Sequence, residues 1–196
     1  KLEIEKLKLF LEKIGVLSKI DFDIEEVGEP IPFKWGKCKL ATVSFGHGIT
    51  TTPLQLAKGY AIIANGGFEI NPSLIKKTLE DNQNQKRIIK KGVSKDINEI
   101  LRKIVTTKEG TAGLANIKGY EVGGKTGTAE KAIAGGYTRK AKVNTFVSIF
   151  PTSKPKYVMV VLLDEPKTSE DYIYKYKNKS GSYKGTPFNT AGWTSV

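Results

Sequence analysis

The sequence predicts an α+β domain: an antiparallel sheet, at least a three-stranded meander, packed with helices. Two observations carry this. Residues up to about 118 show apolar spacing of the helical kind, and from Gly119 onward the spacing shifts to strands. The last two strands are separated only by the turn "PTSKP", so they form an antiparallel hairpin, and short links make the three strands a meander. The division is therefore 1–118 mainly helical, 119–165 strands carrying "KTGT", and 166–196 a long loop and the truncated lead-in to a final helix.

The first helix is read in "EKLKLFLEKIGVL", with Leu7, Phe10, Leu11 and Ile14 on one face and Gly15 as the stop. The second lies in "TTTPLQLAKGYAIIANGG". Thr52 is suited to cap it, Pro53 to the first helical position, and Gly66-Gly67 to its end. The third is "SKDINEILRKIVTT", with Ser94 as cap and Ile97, Ile100, Leu101, Ile104 and Val105 inward. The strands follow at Tyr120–Ala129, Lys142–Phe150 and Lys156–Leu163. "DNQNQ" (Asp81–Gln85) reads as a loop, and Ser169–Gly185 as a long polar loop rich in Tyr and Lys.

The chain has 196 residues, a hydrophobic fraction of 39% and a formal charge of +12, which is enough apolar content for a real core. It opens on Lys1 rather than Met and so reads as an excerpt. No apolar run reaches the length of a membrane span. The charge raises the idea of a nucleic-acid partner, but only Arg87, Arg102 and Arg139 among the 32 basic residues are arginines. Base and phosphate readers favour the planar, bidentate guanidinium. A solvated lysine-rich surface is the better reading, and no nucleic-acid partner is expected. Cys38 is single, so no intrachain disulfide forms.

Chemistry concentrates in "YEVGGKTGTAEKA", Tyr120–Ala132. Alternation on a strand puts Thr126 and Thr128 on one face and Lys125 with Gly127 on the other. The hydroxyls can hold a carboxylate while the Lys125 ammonium adds positive field. Gly127 leaves room for close approach to the backbone. An edge strand also has free N–H groups, and that of Thr128 can form half of an oxyanion hole. K-T-G is a signature element of penicillin-recognising serine enzymes, usually accompanied by S-x-x-K.

Longer segments resemble the transpeptidase domain of class B penicillin-binding proteins. They are "SFGHGITTTPLQLAKGYAIIANGG", "KEGTAGLANIKGYEVGGKTGTA", "TFVSIFPTSKPKYVMVVLLDEP" and "GTPFNTAGW", in the family's order. The lead-in "WGKCKLATVSFGHGI" looks more like the division-specific branch, which makes septal peptidoglycan, than the elongation branch. The resemblance implies part of a penicillin-recognising, β-lactamase-like fold. It also implies a serine D,D-transpeptidase that cross-links stem peptides ending in D-Ala-D-Ala and is acylated by β-lactams. It implies Lys125 as the catalytic lysine, Thr126, Gly127 and Thr128 as substrate-binding residues, and no metal or organic cofactor. A parent protein anchored in the inner membrane, with this domain on the periplasmic side and divisome proteins as partners, follows from the same likeness. A serine β-lactamase, a D,D-carboxypeptidase, or a non-catalytic basic module for anionic polymers are the other readings.

The nucleophile is missing. S-x-x-K occurs at Ser73–Lys76 and Ser153–Lys156, but the first follows "NP" after a helix stop and the second holds Pro155 in a turn. "YKN" (Tyr176–Asn178) and "KSG" (Lys179–Gly181) stand in the wrong order for the family's remaining motifs. The excerpt is therefore expected to be inactive alone, with S-x-x-K and S-x-N lying upstream. His47, the sole histidine, is assigned a structural place in a Gly-flanked turn, and Trp35 and Trp193 are assigned to packing.

Overall fold

The computed structural model describes residues 2–76, 85–133, 136–167, 169–177, 180–181 and 183–188. Four helices come first: α1 (Leu2–Lys13), α2 (Lys37–Ser44), α3 (Pro53–Ala64) and α4 (Lys91–Thr106). Five strands follow: β1 (Gly123–Ile133), β2 (Gly136–Phe150), β3 (Tyr157–Asp164), β4 (Ser169–Lys177) and β5 (Tyr183–Phe188). The first three form an antiparallel sheet in the order β1-β2-β3, and β4 pairs with β5 in a second, two-stranded sheet. Helix α4 packs on β1, and α3 packs on β2 and β3.

Local chemistry explains the best-defined helix start. Thr52 accepts from the Gln55 N–H while the Gln55 side chain accepts from the Thr52 N–H, and Pro53 follows as the first helical residue. Gln55 is fully buried, and its Nε2 also donates to the Ser18 carbonyl at 2.7 Å. One side chain thus caps α3 and ties it to the segment after α1. Beyond the end of α3, Gly66 and Gly67 take φ of +90° and +93°. A Cβ on Gly67 would lie 2.0 Å from the Ile89 carbonyl oxygen, so close approach as well as φ requires glycine there.

Helix α4 departs from the sequence reading at two points. It begins at Lys91, and Ser94 is inside it and buried rather than capping. The Ser94 hydroxyl donates to the Ile63 carbonyl of α3, so it is used between helices instead of at a terminus. The buried stripe runs Ser94, Asn98, Leu101, Val105, at three- and four-residue spacing. Ile100 lies one position off that stripe and is 54% exposed rather than inward. Val105 joins Ala112, Ala115, Val122 and Phe146 in the core, with Ile104 and Phe150 packed against it.

Ser169–Gly185, expected as a long polar loop, is instead most of the β4–β5 hairpin. The reason is visible in "DYIYKYK": Tyr and Ile are strand formers, and Tyr172, Tyr174 and Tyr176 recur with period two. Gly181, at φ +80°, stands in the turn. Helix α2 was not expected; it has no side-chain cap and little amphipathic patterning to announce it. The first strand starts three residues later than expected, at Gly123. Most of "DNQNQ", together with Asn178, Lys179 and Trp193, lies outside the described residues.

Candidate functional site

Strand β1 has β2 on one side and no strand on the other among the described residues, so it is an edge. Its register sets Lys125 opposite Val147, Thr126 opposite Phe146, Gly127 opposite Thr145 and Thr128 opposite Asn144. Thr126 and Thr128 therefore share one face, and Lys125 and Gly127 the other. Lys125 and Thr128 are exposed; Thr126 and Gly127 are half-buried. The Lys125 ammonium donates to the Thr126 carbonyl at 2.6 Å, which holds it beside the strand.

The glycines have a structural cause. A Cβ on Gly127 would meet the Thr145 hydroxyl at 2.5 Å, and one on Gly124 would meet Phe146 Cζ at 2.6 Å and the Val147 carbonyl oxygen at 2.7 Å. A Cβ on Gly123 would lie 2.5 Å from Thr152 Cγ2 and 3.0 Å from the Arg102 nitrogen. Thus the β2 backbone at Gly124, and the backbone of α4 with Thr152 at Gly123, favour glycine, whereas at Gly127 a Cβ meets only the Thr145 hydroxyl, which rotation about χ1 can move aside. Arg102 fastens the lead-in by donating to the Val122 carbonyl at 2.7 Å.

Thr111 is a neighbour of the candidate site that the sequence did not disclose. Its hydroxyl oxygen is 2.9 Å from that of Thr126. Both neighbours of Thr111 are fixed against α4. A Cβ on Gly110 would lie 2.0 Å from the Ile104 carbonyl oxygen, and Ala112 is fully buried with its N–H donating to that carbonyl at 3.3 Å. A lone Thr in a turn carries no spacing signal; only the fold brings it to β1.

The rejected motifs stay apart from this strand chemically. Ser73 donates to Asp23 Oδ2 at 2.8 Å and stands on no helix. Ser153 is in the turn after β2, with its hydroxyl on Glu121 and its N–H 3.4 Å from the same carboxylate. Those two bonds pull the Glu121 carboxyl below the ordinary glutamate value. His47 lies between glycines at φ +83° and +80°, with its ring 4.5 Å from that of Tyr137 at the start of β2. Lys39 anchors this loop, donating to the Gly48 carbonyl at 2.7 Å with its ammonium 4.6 Å from the Phe33 ring. Trp35 packs against Phe33 at 5.0 Å between ring centroids, and Cys38 is exposed and free.

At the far end of β1, the register shifts between Glu130 and Lys131. Lys131 donates to Glu165 at 2.7 Å and to Asp164 at 3.0 Å, and these two carboxylates raise its pKa above the ordinary lysine value. Among the described residues no helix is long and apolar enough to cross a membrane, and no cluster of His, Cys, Asp and Glu could hold a metal ion.

Sheet, helices and lysine–hydroxyl edge strand together define the class: an α+β domain whose open sheet edge carries a lysine and two threonines. The chain belongs to the penicillin-binding protein transpeptidase domain family, whose model matches residues 1–188. It is 31% identical to the "Probable peptidoglycan D,D-transpeptidase FtsI" of Caulobacter vibrioides over 202 residues, covering 98% of this chain and 32% of that protein. It is 31% identical to "Stage V sporulation protein D" of Bacillus subtilis, covering 83% of this chain and 27% of that protein. Its fold matches the transpeptidase domain of Burkholderia pseudomallei penicillin-binding protein 3 with a TM-score of 0.76 at 28% identity, over 83% of this chain and 50% of that one. The Mycobacterium penicillin-binding protein 3 solved with ampicillin is similar at a TM-score of 0.73 and 26% identity, over 83% of this chain and 40% of that one. The chain thus spans about a third of the length of the curated relatives and half or less of these solved chains.

Proposed function

We propose that these residues form the substrate-binding wall of a peptidoglycan D,D-transpeptidase, with the serine nucleophile supplied from outside the 196 residues. The observation that carries the reading is the edge strand β1, with Thr126 positioned by Thr111 and Lys125 alongside. The Thr126 and Thr128 hydroxyls receive the terminal carboxylate of a D-Ala-D-Ala stem peptide, and Lys125 supplies positive charge. The Thr128 N–H donates to the oxyanion as the carbonyl turns tetrahedral. The serine oxygen bonds to the penultimate carbonyl carbon, the C–N bond breaks, and D-Ala leaves with a proton. An amine of a neighbouring strand then displaces the serine and forms the cross-link.

A β-lactam carries a carboxylate near a strained amide and enters by the same contacts. The likeness to proteins named peptidoglycan D,D-transpeptidase supports the reaction class, and the division-specific branch, a periplasmic setting and divisome partners are the further part of this proposal for the longer protein. No cofactor, metal or nucleic acid is required by this chemistry.

The test is a fluorescent penicillin followed by a denaturing gel. The 196-residue chain should show no covalent band and the full-length protein a strong one. Lys125→Ala in the full-length protein should label far more slowly. A band on the 196-residue chain, or undiminished labelling of Lys125→Ala, would refute the assignment.

A further inference from the structure

A groove of about 890 Å³ runs along α4, bounded by the end of α3 and by the turn between β2 and β3. None of Lys125–Thr128 lines it. Its charged residues are Lys91, Lys95, Arg102 and Lys103 against Glu99 and Glu121, so cations outnumber carboxylates. Both carboxylates stay charged, Glu121 on Ser153 and Glu99 in an exposed pair with Lys95 at 3.8 Å, a weak pair from which Lys95 can exchange partners, so the excess of the lining is two cations. Asn98 lines the groove between the two ends, is 9% exposed, and has a buried Oδ1 with no hydrogen-bond partner.

We propose that this groove binds an acidic, extended peptide segment of a partner protein. The length fits. From Lys91 to Lys103 an α-helix rises about 18 Å, which matches roughly five extended residues. The chemistry fits as well. Asn98 lines the groove, and a peptide N–H that reaches its Oδ1 satisfies an acceptor that is otherwise costly to bury. Acidic side chains of the segment then meet Lys91 and Lys95 at one end and Lys103 at the other. The groove also touches the site mechanically. Arg102 lines it and holds the Val122 carbonyl, and Gly123 rests on the backbone of Leu101 and Arg102. A bound segment therefore presses on the start of the strand that carries Lys125.

The probe is a capped, fluorescein-labelled heptapeptide of alternating Asp and Leu, titrated into the full-length protein and read by anisotropy. Saturable binding is expected, with Lys91→Glu/Lys95→Glu weakening it about tenfold or more. Lys6→Glu/Lys13→Glu changes the net charge equally and should leave binding near that of the unaltered chain. Asn98→Ala, checked for fold by circular dichroism, should also weaken it. The proposal is overturned by absence of saturable binding or by equal losses in the two charge-reversed pairs. It is equally overturned if a single-stranded RNA heptamer binds more tightly with the same dependence on Lys91 and Lys95.

Discussion

The hydroxyl oxygens of Thr111 and Thr126 lie 2.9 Å apart, although fifteen residues separate them in the chain. A hydroxyl that both donates and accepts can be aimed by a second one. Thr111 thereby orients the group proposed to receive the substrate carboxylate. Thr111→Val keeps the shape and removes the partner. In the full-length protein it should slow acylation by a β-lactam by up to roughly tenfold, the upper worth of one hydrogen bond between neutral groups. Thr111→Ser should restore most of the rate. Unchanged acylation in the valine variant would remove Thr111 from the site.

The placement of Thr111 depends on Gly110. In Gly110→Ala the new Cβ, 2.0 Å from the Ile104 carbonyl oxygen, would force the turn away from α4. Urea unfolding should show a loss of about 1–3 kcal/mol, the usual cost of overpacking. Acylation should fall along with stability, because the same displacement moves Thr111. Gly92→Ala, in the first turn of α4 and with nothing within 4 Å of the new Cβ, is the control: acylation should be unchanged and stability equal or slightly raised, since alanine is the better helix former.

Gln55 joins the cap of α3 to the segment after α1. Gln55→Leu preserves size but strands the Ser18 carbonyl and the Thr52 N–H. The expected loss is about 1–3 kcal/mol for leaving such groups unpaired, read from the denaturant midpoint. Thr52→Ala removes only the side-chain half of the capping box and should cost about 1 kcal/mol.

Glu121 gives a pH signature with a definite sign. Its carboxyl is lowered by the Ser153 hydroxyl and then by the Ser153 N–H. A lowered carboxylate contributes stability above its unfolded pKa and loses it as pH falls through the folded one. Ser153→Ala removes the larger cause. The stability difference between the parent chain and Ser153→Ala should be present at neutral pH and shrink as the solution is acidified below the ordinary glutamate range. A difference that grows toward acid would reverse the assignment. Glu121 is exposed, so the effect should be modest.

The legible parts of the molecule were those with strong local chemistry. Thr52-Pro53 announced a helix start, and the alternation in Lys142–Phe150 and Lys156–Leu163 announced the meander. Lys125–Thr128 could be proposed as a site from residue types alone, and the structure adds that they lie on an edge strand. What escaped reading depended on contacts distant in sequence. Ser94 looks like a cap until the Ile63 carbonyl takes its hydroxyl. Thr111 looks like any turn residue until Gly110 and Ala112 press it toward β1. The β4–β5 hairpin was missed for a different reason: its charged residues hid a period of two that its tyrosines display.

The crowding around Gly123, Gly124 and Gly127 has a bearing on how this cleft wall can evolve. Each position would bring a new methyl within 2.7 Å of a neighbouring heavy atom. Single-codon drift along the strand therefore meets a steric barrier at Gly123 and Gly124, and a softer one at Gly127, where the Thr145 hydroxyl can turn aside. On the proposed reading, heritable changes in ligand preference are channelled to the bordering side chains, such as Thr111, whose hydroxyl can be lost while the strand itself stays in register.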